Sequence, residues 1–201
     1  MYDRAGAEPA GRMNVRQCTG GRGRVPPRSF ARARFTDGAP REGSVRLRVM
    51  RISVSSDMDE PVARALLAEL RERGHEVRVH GALSPGSDAR WAFCSEAAAR
   101  DVADGTADQA VVCCWTGTGA SIAANKVPGV RAALCTDAYT ADGARRWNDA
   151  NVLALGLRLT SEPLLKEILD AWFAPVSGRD EEDRRNVDRV ARLDDTRLTR
   201  G

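Results

Sequence analysis

The stretch QAVVCCWTGTGASIAANK (Gln109–Lys126) decides how this chain folds. After Gln109 it runs apolar through Cys114 without polar alternation, which is the pattern of a strand buried on both faces, as in parallel sheets. Two glycines, Gly117 and Gly119, then turn the chain, and SIAANK opens a helix. Glycines at such a turn permit close backbone approach, and the amides that follow can hold a phosphate, a carboxylate or an enediolate oxygen. The turn is neither a P-loop, since no GK[ST] follows, nor a dinucleotide fingerprint, since Ile122 stands where the third glycine belongs.

Working outward from this unit, the same order repeats. RISVS is a short strand, and EPVARALLAELRERG after it is a helix with Pro61 in its first turn, Val62, Leu66 and Leu70 on one face and Gly74 at its end. HEVRVHG alternates as a second strand, and residues 89–103 read as a second helix. Beyond the central unit come RAALC, the helix TADGARRWN, the strand NVLALG and the helix SEPLLKEILDAWF. Strands alternating with helices at this spacing predict a Rossmann-like, doubly wound α/β fold: five mainly parallel strands with helices on both faces. Ligands of such sheets bind beyond the carboxyl ends of the strands, here 55–60, 81–91, 114–121, 136–140 and 156–160.

The predicted domain spans residues 50–175. Residues 176–201 form a charged helical tail, expected to pack on a partner subunit. Residues 1–49 are rich in Gly, Pro and Arg, lack periodicity and read as disordered. They suit translated sequence ahead of a natural start at Met50, a basic interaction arm or a transit-like peptide. Eleven Arg and four acidic residues give this segment +7, whereas the remainder carries 20 basic and 24 acidic residues, or −4. A mildly acidic body argues against nucleic acid as a partner. No apolar run is long enough for a membrane span. Five cysteines without CxxC spacing and two histidines give no zinc-type ligand set, so no metal is expected, and a reducing cytoplasm is the simplest setting.

Cys114 ends the central strand beside a helix start, a setting in which thiols ionise more readily. A thiolate there could take a proton from carbon while amides of the turn hold the oxygen that becomes anionic. The plainer reading is that Cys113 and Cys114 are two small core residues.

The segment from Cys113 to Arg158, CCWTGTGASIAANKVPGVRAALCTDAYTADGARRWNDANVLALGLR, resembles the ribose-5-phosphate isomerase B family, which includes the galactose-6-phosphate isomerase subunits. The likeness runs from Met50 to about Val190. It implies aldose–ketose isomerisation of a sugar phosphate through a cis-enediol(ate), without metal or cofactor. It also implies a homodimer or homotetramer whose sites draw on two subunits. By position, Cys114 matches the catalytic base. Thr116, Gly117, Gly119 and Ser121 match the turn around the enediolate, with Asn125 in the following helix. Asn148 matches a substrate-binding Asn, and Asp57 the acid of an Asp-His pair. Arg158 and Arg179 match phosphate ligands, and Arg184 or Arg185 a second tail arginine.

Four positions depart from the family. Met58 replaces the His of the pair, Trp115 the Gly after the catalytic Cys, Trp91 a pocket Tyr, and Trp147 the His that opens furanose rings. His75 and His80 fall in or beside the second strand and take over neither role. Two readings follow. One is an isomerase for a substrate that is already open-chain, such as a tetrose 4-phosphate, whose esterified 4-hydroxyl cannot close a furanose. The other is a non-catalytic binder of a sugar-like or aromatic metabolite, with the indoles as stacking platforms.

Overall fold

The computed structural model describes residues 49–198, so the reading of the arginine-rich segment lies outside the described residues. Strand β1 (Arg51–Ser56) leads through Asp57 to α1 (Pro61–Glu72), β2 (Glu76–Gly81) and α2 (Trp91–Ala103). The central unit is β3 (Gln109–Cys114) and α3 (Thr118–Ala124). Then come β4 (Ala132–Leu134), α4 (Ala138–Trp147), β5 (Val152–Gly156), α5 (Glu162–Trp172) and α6 (Glu181–Leu198).

The strands form one sheet in the order β2-β1-β3-β5-β4, and every pairing is parallel, where the sequence predicted a mainly parallel sheet. All six residues of β3 are buried, as its apolar run requires. Alternation along β3 sends Val111 and Cys113 to one face and Val112 and Cys114 to the other. The first face packs against the large apolar residues of α1 and α5, including Leu66, Ile168 and Trp172, and against alanines of α4. The second meets the alanines of α2 and α3, which let those helices lie close to the sheet. Trp172 donates its indole N–H to the Gln109 side chain at 2.7 Å, so its polar atom is satisfied inside the core.

Local chemistry starts the helices where the sheet hands them over. Asp137 caps α4 by accepting the Thr140 N–H at 2.7 Å, with the Thr140 hydroxyl reciprocating toward the Asp137 amide. Ser161 caps α5. The tail has anchors in its own chain. Arg179 pairs with Asp149, and the Asp194 carboxylate accepts the Gly129 N–H at 2.8 Å. Among the described residues no helix is long and apolar enough to cross a membrane.

The strand order puts a topological switch between β1 and β3, since the chain leaves β1 for β2 on one side and returns to β3 on the other. A crevice at the carboxyl ends of these two strands is what that switch creates.

Candidate active site

That crevice is a cavity of about 230 Å³ lined by Asp57, Trp91, Cys114, Trp115, Thr116, Thr118 and Gly119. Asp57 follows β1, and Cys114 ends β3. Trp91 opens α2, and the remaining residues form the turn into α3. Larger hollows elsewhere lie between α2 and α3 or beside β4, without both a thiol and a carboxylate in their walls.

The turn wraps around the sulfur. The Gly117 N–H donates to Cys114 Sγ at 3.2 Å. Gly117 sits at φ 77°, and a Cβ there would lie 2.5 Å from Leu134 Cδ1 and 2.8 Å from the Gly156 nitrogen, so only glycine fits. The Thr116 and Thr118 hydroxyls bond each other at 2.7 Å. The first intrahelical bond of α3 is Ser121 N–H to Gly117 O at 3.0 Å, so the amides of Thr118, Gly119 and Ala120 precede the helical ladder and call for outside acceptors. Trp91 lays its indole on Gly119, where a Cβ would come within 3.0 Å of the ring.

Asp57 faces the thiol's cavity with one oxygen, Oδ1, buried and unpartnered among the described residues. Burial raises its carboxyl above the ordinary carboxylate value, against the opposing hydrogen bond of its own amide. Cys113, one residue from Cys114 but on the opposite face, is an inert neighbour: burial, with Cys114, Asp57 and Cys94 adding, pushes its thiol far up. Burial also drives Cys135 up to about 11.

Other sequence-predicted residues fall elsewhere. Ser121 stands one turn into α3, off the cavity lining. The Asn125 side chain is fully engaged, donating to Ser121 O and Ala132 O and accepting the Ala132 N–H, and so ties α3 to β4. Met58 packs against the core and does not line the cavity, because the turn after β1 no longer follows strand alternation. Trp147 and Asn148 share a second cavity of about 310 Å³ on the other flank of the turn, with Leu134, which touches Gly117, in its wall.

The arginines are divided too. Arg158 is exposed beyond β5, its amide bonded to Trp115 O at 3.0 Å. Arg179 donates to Asp149 and to Arg145 O, and Arg131 holds the other Asp149 oxygen at 2.8 Å. Asp149 itself has φ 49°, the one non-glycine in the left-handed region among the described residues. Arg184 and Arg185 both pair with Glu181 on the surface of α6. The sequence reading overlooked Thr118, Leu134 and Tyr139. Thr118 alone had a signal, since it lies between the two turn glycines. The histidines lie away from the cavity: His75 packs at a tilt of 47° against Phe173, and His80 pairs with Asp101 at 2.7 Å.

A family model described as Ribose/Galactose Isomerase matches residues 52–193. The chain is 43% identical over 108 residues to the ribose-5-phosphate isomerase B of Escherichia coli, covering 54% of this chain and 72% of that protein. It is 38% identical over 104 residues to a D-erythrulose-4-phosphate isomerase of Pectobacterium atrosepticum, covering 52% and 68%. Among solved structures, the ribose-5-phosphate isomerase B of Clostridium thermocellum superposes with a TM-score of 0.67 at 34% identity, covering 73% of this chain and 99% of that one.

Proposed function

The chain belongs to the ribose/galactose isomerase family, is a sugar-phosphate isomerase of the aldose–ketose type, and on that premise we propose that it acts on an open-chain substrate, a tetrose 4-phosphate, with Cys114 as base. The observation that carries this is the single cavity in which the Cys114 sulfur, the Asp57 carboxyl and the 116–119 turn converge.

The chemistry balances without a redox partner. The Cys114 thiolate removes the proton from the carbon next to the carbonyl, and the C–H electrons form the C–C double bond of an enediolate as the carbonyl electrons move onto oxygen. Amides of Thr118 and Gly119 hold that oxygen. Thr116, paired with Thr118, relays a proton between the two oxygens. The Asp57 carboxyl, whose Oδ1 has no protein partner among the described residues, accepts a hydrogen bond from a substrate hydroxyl. Cys114 returns the proton to the adjacent carbon, and aldose and ketose interconvert.

Two features favour a four-carbon, open-chain substrate over ribose 5-phosphate. Indoles at 91 and 115 narrow the cavity, and no imidazole lines either hollow to assist ring opening. The likeness to an erythrulose-4-phosphate isomerase supports the same choice. Arg158 and Arg184 serve as phosphate ligands, and Arg179 joins them by exchanging Asp149 for the phosphate.

The site is completed by a second copy of the chain. Trp91 (46% exposed), Trp115 (44%) and Ile122 (59%) rim the first region, and Tyr139 (73%) and Trp147 (44%) rim the second. Two-fold pairing brings one chain's Asn148 to the other's Cys114 while covering both apolar rims. The four cysteines among the described residues are free and buried, which suits a reducing cytoplasm.

The test is to incubate the protein with D-erythrulose 4-phosphate, ribose 5-phosphate and a hexose 6-phosphate and follow each by carbon NMR. Interconversion of the tetrose pair fits the proposal. Turnover of ribose 5-phosphate alone contradicts the substrate, and turnover of none favours a binding protein.

A further inference from the structure

The second cavity has walls of unusual construction. Trp147, the last residue of α4, folds its indole back over Gly143, one turn earlier on the same helix. A Cβ on Gly143 would lie 2.5 Å from Cζ3 and 2.8 Å from Cε3 of that ring, so the indole occupies the volume a side chain would fill. Tyr139, a further turn back, meets the indole edge-on, with centroids 6.0 Å apart and planes at 70°. Three residues spaced four apart thus fix one aromatic wall. Leu134, Cys135, Thr140 and Asn148 also line the cavity.

This cavity contains no carboxylate and no imidazole, and burial holds the Cys135 thiol up at about 11. An indole has an N–H to donate and no basic lone pair. Opening a cyclic sugar requires one proton removed from the anomeric hydroxyl and one delivered to the ring oxygen. The walls carry the hydroxyls of Tyr139 and Thr140 and the buried Cys135 thiol, but no imidazole or carboxylate to exchange both protons. An indole face and a carboxamide instead suit the C–H and hydroxyl groups of a short acyclic chain.

We propose that Trp147 is the specificity-determining wall of the isomerase site, excluding cyclic sugar phosphates, and that Gly143 is the positioning residue that seats it. This rests on the reading above, in which the second cavity completes the Cys114 site across two copies. Trp147 excludes by lacking acid–base function and by filling space. Gly143 never touches substrate, and acts only by leaving room for the ring.

The experiment compares wild type, Trp147→His, Gly143→Ala and the double variant for turnover of D-erythrulose 4-phosphate and ribose 5-phosphate. Trp147→His introduces an acid–base group and is expected to raise the ribose-to-tetrose ratio of kcat/KM about a hundredfold. Gly143→Ala displaces the indole and is expected to lower tetrose kcat/KM about tenfold, with KM changing more than kcat. In the Trp147→His background the alanine should have under about a twofold effect, because the ring it would displace is gone. A general folding defect from Gly143→Ala would persist in that background and would overturn the positioning role. A ribose-to-tetrose ratio unchanged in Trp147→His, with tetrose turnover intact in wild type, would overturn the specificity role alone. Wild type inert toward both sugars would overturn the isomerase reading on which the proposal stands.

Discussion

Two cavities flank the turn from Thr116 to Gly119, and their walls differ in kind. The one at the β1 and β3 ends holds a thiol, a carboxyl with an unpartnered oxygen, and the start of α3. The one beside β4 and α4 holds Tyr139 and Trp147, a carboxamide, the Thr140 hydroxyl and the buried Cys135 thiol, and no carboxylate. The sheet supplies both from strands only two places apart, β3 and β4 with β5 between them. On the proposed chemistry the difference is a division of labour, in which one surface would move protons and the other would select shape.

Variants on each side can break this contrast. The largest effect is expected at the turn they share. Gly117→Ala forces a side chain into the left-handed region and against Leu134 and Gly156. It should cost about 2 kcal/mol of stability by urea titration. In the refolded protein it should lower kcat by about a hundredfold, since the donor to Cys114 and the amides move together.

A smaller effect with two opposite signs is expected at Asp57. Its carboxyl is raised by burial, so the folded state binds that proton more tightly than the unfolded state does. Its contribution to stability therefore falls as pH rises from the ordinary carboxylate value through the raised one. Asp57→Asn removes this loss, and Tm at pH 7 should rise, by thermal unfolding followed by circular dichroism. Turnover should drop by about tenfold or more, because a substrate hydroxyl loses its acceptor. A variant that gained stability and kept its activity would make Asp57 a bystander.

The smallest effect is expected at His80, which lies in the edge strand and in neither cavity. Its ring and the Ser53 hydroxyl both bond Asp101 Oδ2, so its work is to fasten α2 to the sheet. His80→Gln should leave tetrose kcat/KM within about twofold by the same assay. A larger loss would mean that an imidazole reaches the chemistry, and the contrast between the cavities would collapse.

Much of this was legible in the amino-acid order. The apolar run before Cys114 specified a central parallel strand, and the glycines after it specified the turn, because both are local demands of backbone and burial. Helix α1 followed from its period and from Pro61 in its first turn. The placement of β5 between β3 and β4 was not legible, since order in a parallel sheet is set by packing among all the helices. Met58 was read as part of the site and lies against the core, because a residue in an irregular turn carries no periodicity that says where it points. Arg179 was read as a phosphate ligand and here pairs with Asp149, a long-range partner that no local pattern announces. The seat of Trp147 on Gly143 is visible in the sequence only as a spacing of four, and its meaning comes from the contact.

The most direct test of the central claim is deuterium exchange by proton NMR, with D-erythrulose 4-phosphate in heavy water and with wild type and Cys114→Ala side by side. Wild type should place deuterium on the carbon next to the carbonyl, and Cys114→Ala, folded by circular dichroism, should slow that exchange by about a thousandfold or more. Exchange that continues undiminished without the thiol would contradict the account, because the proton would then be moved by another group.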